Sequence, residues 1–251
     1  MEETIKKIPL ILDTDIGSDI DDVWALIMLL RSPEVDIRLI TTANGNTTYR
    51  AKIVAKLLTV AGRADIPIGI GKQTSDEIEA QGAWVADYDL SQYPGTVCQD
   101  GVQALIDTVM DTGEQTTLVA IGPLTNIASA LERQPEIARS ARLVGMHGSI
   151  RKGYADADTP VAEYNVAVDA AACRAVFTAP WDVTITPLDT CGLIKITGDR
   201  YQKVHNSRDI LVQALMENYR IWDGAYTGVK FSKGYGHEST ILYDTVAVYL
   251  A

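Results

Sequence analysis

Residues 8–12, Ile8-Pro9-Leu10-Ile11-Leu12, form an unbroken apolar run of the length expected for a strand buried on both faces. Residues 23–30 follow as a mostly apolar helix. Residues 35–42 alternate and then turn apolar, giving a second strand, and a helix capped by Thr47 or Thr48 runs to about residue 60. Residues 66–70 make a short third strand. Further strands are predicted at 116–121, 142–146 and 181–186. Helices are predicted from about 100 to 110, after Gly122-Pro123, and in outline from 187 to 226. This β-α-β-α-β order predicts an α/β fold: a doubly wound, mostly parallel central sheet flanked by helices, as one domain over residues 1–251. Residues 71–98 break the pattern. They are rich in Gly, Asp and aromatics (Trp84, Tyr88, Tyr93) and read either as a functional lid or as a loop packed down by those aromatics.

Chemistry is concentrated where the first strand stops. Asp13, Asp15, Asp19, Asp21 and Asp22 fall within residues 13–22, and Gly17 permits a tight turn among them. The carboxyl end of a strand and the first turn of the next helix is where open α/β sheets place ligand sites. Carboxylates at a helix N-terminus gain about 0.3–1 kcal/mol each from the macrodipole, which accounts for one or two of them, not five. Such a cluster repels itself unless protons or a cation neutralise it. An oxygen-rich set without Cys or His points to a hard cation, Ca²⁺ or Mg²⁺; the alternative is a solvated acidic turn with a cap. An EF-hand loop is excluded, because the fifth, sixth and twelfth positions hold Gly17, Ser18 and Trp24. A phosphatase of the haloacid-dehalogenase type, with Asp13 as nucleophile, stays open.

The net charge of -11 argues against nucleic acid or an anionic membrane surface as partner. Cys98, Cys173 and Cys191 are scattered, residues 1–7 lack the apolar core of a signal peptide, and no apolar run has the length of a membrane span. These features predict a cytoplasmic protein.

Leu12-Asp13-Thr14-Asp15-Ile16-Gly17 with Asp21-Asp22 resembles the N-terminal signature of the inosine–uridine nucleoside hydrolase family, Asp-x-Asp-Pro-Gly-x-Asp-Asp. Here Ile16 replaces the Pro and an insertion brings in Asp19. Three later stretches resemble the family in the same order: Gly122-Pro123-Leu124-Thr125-Asn126, Ala162-Glu163-Tyr164-Asn165, and Tyr243-Asp244-Thr245-Val246-Ala247-Val248. The resemblance implies a calcium-dependent N-glycosidase acting on a ribonucleoside or similar ribosyl compound, assembled as a homodimer or homotetramer. It implies that Asp15 is both general base, activating a calcium-bound water, and metal ligand, joined as ligands by Asp22, Asp244 and the Thr125 carbonyl. Asp21, Asn46, Glu163 and Asn165 would hold the sugar hydroxyls, with Glu163 and Asn165, at spacing two in an extended segment, pointing the same way, and Asp13 would support the metal ligands. Asp19 has no counterpart.

Tyr243 stands where purine-active members carry a His that protonates the leaving base; His237 is a nearby substitute or simply a surface residue. Aromatics in the region of Trp222 and Tyr226 either cover the base or pack the core. Relative to the family the C-terminal part is expected to be shortened or missing. A sugar- or nucleoside-binding relative without turnover is the non-catalytic alternative, and turnover of p-nitrophenyl riboside separates the two. Independently of the resemblance, cleaving a C1–N bond builds oxocarbenium character on the sugar, which carboxylates facing the ring stabilise.

Overall fold

In the computed structural model, which describes residues 6–74, 79–225 and 234–251, the strands are β1 (Ile8–Thr14), β2 (Val35–Thr42), β3 (Ile68–Ile70), β4 (Val97–Cys98), β5 (Thr116–Ala120), β6 (Ala141–Gly145) and β7 (Val183–Ile185). They form one sheet in the order β4-β3-β2-β1-β5-β6-β7. Every neighbouring pair is parallel, so the sheet is wholly parallel rather than mostly so.

Both faces are covered, which explains the unbroken apolar runs. Leu10, Leu12, Ile40, Val119 and Val144 point into one core, shared with the helices Asp21–Leu30, Thr47–Ala61, Ile210–Ala225 and Tyr243–Leu250. Their neighbours Ile11, Leu39, Leu118 and Leu143 point into a second core under Gly101–Asp111, Thr125–Arg133 and Ala170–Phe177. Alternate residues of one strand serve opposite cores, as the two-residue period of a strand requires. Sheet and helix contact closely at Gly69 and Gly101, where a Cβ on Gly69 would lie 2.8 Å from the Gly101 Cα.

The order of strand addition reverses between β1 and β5: β2, β3 and β4 build outward from one side of β1, and β5, β6 and β7 from the other. The acidic stretch leaves the carboxyl end of β1 and the Gly122-Pro123 turn leaves that of β5. The two motifs therefore flank the crevice at the topological switch point.

Several local expectations are corrected. The first helix begins at Asp21 rather than 23, so Asp21 and Asp22 form its first turn. Asn46, not Thr47 or Thr48, caps the helix Thr47–Ala61, its Oδ1 accepting the Tyr49 amide at 3.0 Å. The third strand is shorter than predicted, and β4 was not predicted. The 71–98 segment is packed down where it is described: Trp84 is buried and donates to Glu217 at 3.1 Å, Lys56 lies 4.6 Å over its ring, and the Tyr93 hydroxyl donates to the Ile66 carbonyl at 2.5 Å. The helical outline after 187 resolves into Leu188–Cys191, Gly198–His205 and Ile210–Ala225, and Tyr226 lies outside the described residues.

Candidate active site

Asp21 and Asp22 at the start of one helix meet Asp244 at the start of another, each buried, with one oxygen from each within 4.8 Å of the others. The Asp244 amide also donates to Asp21 Oδ2 at 3.4 Å. Burial, and then repulsion from Asp19 and Asp22, pushes the Asp21 carboxyl well above the ordinary range. Burial followed by Asp15 does the same to Asp22, and burial followed by Asp21 to Asp244. Asp15 is not one of the three grouped carboxylates, but its charge bears on all of them. A Cβ on Gly122 would sit 2.9 Å from Asp15 Oδ1, so the β5 turn is packed directly against this side chain.

The chain between Asp15 and Asp19 is gripped carbonyl by carbonyl. Arg50 Nη1 donates to the carbonyls of Asp15 and Ile16, the Tyr49 hydroxyl to Gly17 at 3.1 Å, Trp222 Nε1 to Ser18 at 3.0 Å, and Gln81 Nε2 to Asp19 at 2.6 Å. Gly17 has φ +119, a conformation that L side chains rarely adopt. The Thr14 hydroxyl binds the Asp22 carboxylate. Asp19, which had no assigned role, accepts the Ile20 amide at 2.6 Å, and burial raises its carboxyl to about 6.

Asp13 lies one layer below. Its Oδ1 accepts from the Thr41 hydroxyl and from Asn126 Nδ2 at 2.8 Å, Oδ2 is buried without a hydrogen-bond partner, and burial raises the carboxyl to about 6. A side chain so enclosed does not present a nucleophile, which removes the physical basis of the phosphatase alternative.

The expected sugar-binding residues are placed less uniformly. Glu163 and Asn165 were expected in an extended segment, projecting together. Instead a helix, Tyr164–Val168, begins between them and Glu163 is its N-cap. Glu163 accepts the amides of Asn165 at 2.7 Å and Gly148 at 2.9 Å, while burial raises its carboxyl. Asn165 donates to the Met146 and Ile121 carbonyls at the ends of the β6 and β5 strands, 3.0 and 3.2 Å away. Asn46 Nδ2 donates to Glu79 at 2.7 Å, and Asn46 lines a groove of about 210 Å³ with Thr48, Lys52 and Glu79. The Thr125 carbonyl accepts the Ser129 hydroxyl at 2.8 Å, and its own hydroxyl donates to Asp169 at 2.9 Å. Asp169 caps the helix Ala170–Phe177, its carboxylate accepting the Ala172 amide.

Tyr243 meets Tyr154 edge-to-face, ring centroids 6.1 Å apart, and burial followed by the charges of Asp21 and Asp19 holds its phenol above the usual range. Trp222 is turned onto the acidic loop, and His237 is exposed. Sequence reasoning missed Arg50, Tyr154 and His147. Tyr154 accepts the Tyr164 amide at 2.9 Å and its phenol is raised to about 12 by burial. His147 is fully buried with Nε2 3.1 Å from the Gly122 carbonyl, which makes Nε2 the protonated nitrogen; burial lowers its pKa to about 4. The one signal for any of these was His147's place directly after a predicted strand.

The donor set suits a hard cation: all oxygen, mutually repelling, buried, and drawn from both ends of the chain. Residues 10–251 match the family model described as inosine-uridine preferring nucleoside hydrolase. The chain is 33% identical over 226 residues to the non-specific ribonucleoside hydrolase RihC of Klebsiella pneumoniae subsp. pneumoniae, covering 85% of this chain and 73% of that protein. It is 33% identical over 224 residues to the pyrimidine-specific ribonucleoside hydrolase RihA of Salmonella arizonae, covering 84% and 70%. Among solved structures it resembles a plant nucleoside hydrolase, PpNRh1, with TM-score 0.78 and 26% identity over 98% of this chain and 78% of that one.

Proposed function

The chain belongs to the inosine-uridine preferring nucleoside hydrolase family, and on that premise we propose that it hydrolyses the N-glycosidic bond of ribonucleosides at a calcium site built by Asp15, Asp22 and Asp244. The observation that carries this reading is the meeting of buried Asp21, Asp22 and Asp244 oxygens within 4.8 Å at the β1–β5 crevice, with Asp15 beside them.

Calcium bound there supplies a fixed anchor for the sugar hydroxyls and a modest acidification of the attacking water. Asp15 accepts that water's proton as general base, its position set by the Gly122 turn. Asp21, Asn46, Glu163 and Asn165 hold the ribose hydroxyls, with Asp21 near enough to the ligand group to serve the metal as well. The Thr125 carbonyl, which also accepts from Ser129, is the remaining member of the ligand set in this reading. Asp13 supports the ligands from below. The buried carboxylates facing the ring stabilise the developing oxocarbenium charge. Tyr243, protonated at neutral pH, donates to the leaving base.

Steady-state assays on inosine, uridine and p-nitrophenyl riboside test the roles together. Asp15→Asn should lower kcat on all three by about 10²–10⁴-fold. Tyr243→Phe should slow the nucleosides and spare p-nitrophenyl riboside, whose leaving group needs no proton. Nucleoside turnover unaffected by Tyr243→Phe would move the acid elsewhere, and turnover unaffected by Asp15→Asn would remove the base.

A further inference from the structure

The acidic loop is longer than the Asp-x-Asp-Pro-Gly-x-Asp-Asp pattern by the stretch that carries Asp19, and it sets Asp15 and Asp19 on a backbone that makes no helix or strand, between Asp13 in β1 and Asp21-Asp22 in the first helix. Arg50, in the first turn of the helix Thr47–Ala61, is 2% exposed and heads the fully buried large side chains. Its guanidinium reaches two loops at once. Nε donates to the Asn44 carbonyl at 2.7 Å, beyond the end of β2. Nη1 donates to the carbonyls of Asp15 and, at 2.9 Å, Ile16, and Nη2 donates to the Ser18 hydroxyl at 2.9 Å, all beyond the end of β1. Asn44 sits at φ +62, a conformation that needs outside support in a non-glycine residue. The planar fork matches these divergent acceptors; an ammonium is a point charge and does not.

We propose that Arg50 is the positioning residue of this centre. It locks the backbone of Asp15 through Ser18 to the loop preceding Asn46, so that the general base and the sugar-binding loop hold one geometry before a cation arrives. The proposal rests on the roles given above to Asp15 and Asn46, but its physical content, a loop ordered by one side chain, can be measured without them.

Arg50→Lys discriminates, because it keeps the positive charge and loses the fork. Deleting a cation beside carboxylates would by itself tighten metal binding, so a weakened affinity in the lysine variant reads geometry. Calorimetric titration of metal-free protein with Ca²⁺ should show affinity weakened by about 10–100-fold, the range for residues that orient metal ligands. The kcat on p-nitrophenyl riboside should fall with it. Hydrogen exchange of the metal-free protein should accelerate in residues 15–20 and stay unchanged in β5. Ser18→Ala removes one acceptor and leaves Arg50 in place; it should weaken Ca²⁺ several-fold and serves if the lysine variant fails to fold. A lysine variant that only melts earlier, with Ca²⁺ affinity, kcat and loop exchange within two-fold of wild type, overturns the proposal. So does an unchanged Ser18→Ala if that is the variant available. If the wild-type protein binds no Ca²⁺, the metal reading falls, and the exchange arm alone decides for or against Arg50.

Discussion

A buried neutral imidazole makes stability depend on pH in a defined direction. His147 has a native pKa of about 4 against 6.5 unperturbed. Above 6.5 it is neutral in both states and costs nothing. Below 6.5 the unfolded chain takes up a proton that the native protein refuses, so stability falls as pH drops from 6.5 to about 4 and this contribution then levels off. Between pH 7 and pH 5 it amounts to about 2 kcal/mol. The carboxylates titrate too, so the measurement is a difference: urea unfolding at pH 7 and pH 5 of wild type and His147→Gln, the variant losing about 2 kcal/mol less. Equal losses would show that the imidazole titrates normally. Residues like this one were illegible in the sequence for a simple reason: a His after a strand looks the same whether its ring faces solvent or, as here, a carbonyl and the Phe177 ring. The acidic residues were legible because like charges clustered at a strand end demand a cation or protons whatever surrounds them.

At the scale of elements, the acidic loop was readable as chemistry and unreadable as architecture. Its clamps, Tyr49, Arg50, Gln81 and Trp222, come from a neighbouring helix, the 71–98 segment and a late helix, and nothing in their own neighbourhoods marks them. The strand-end position of the loop followed from the apolar run before it, and helix starts were harder. Asn46 outcompeted the two threonines as a cap because its carbonyl oxygen reaches the Tyr49 amide while its amide holds Glu79. Glu163 opened a helix where an extended segment was expected, because its carboxylate satisfies the amides of Asn165 and Val166. Gly17 tests the loop as an element. At φ +119 a side chain is strained, and an added Cβ would lie 2.7 Å from Tyr49 Cε1. Gly17→Ala should therefore cost about 1–3 kcal/mol in urea unfolding, and it should also weaken Ca²⁺, since Tyr49 holds the Gly17 carbonyl. Wild-type stability in Gly17→Ala would mean that the loop relaxes freely and its clamps do little.

Across the whole molecule, the parallel sheet was legible because strands buried on both faces leave continuous apolar runs, and alternation with helices leaves few topologies. The closure of the site was not visible in any pattern of period or charge. Asp244 meets Asp21 across 223 positions of chain, and only the resemblance at Tyr243-Asp244 suggested the meeting. This closure ties the last helix to the first, since Tyr243–Leu250 packs against Asp21–Leu30 with their carboxylates at adjoining N-termini. A cation at that junction therefore links both ends of the chain and stabilises only the folded state. At a free Ca²⁺ concentration 100 times its Kd, linkage contributes about 2.7 kcal/mol. For a chain of this size each kcal/mol moves the melting temperature by roughly 2–4 °C, so chelation should lower it by roughly 5–10 °C and restored Ca²⁺ should recover it. Asp244→Asn should abolish the Ca²⁺-dependent part of the shift, because it weakens the one ligand contributed by the last helix. A melting temperature indifferent to chelator, or an Asp244→Asn variant that responds to Ca²⁺ like wild type, would show that the three carboxylates meet without holding a metal.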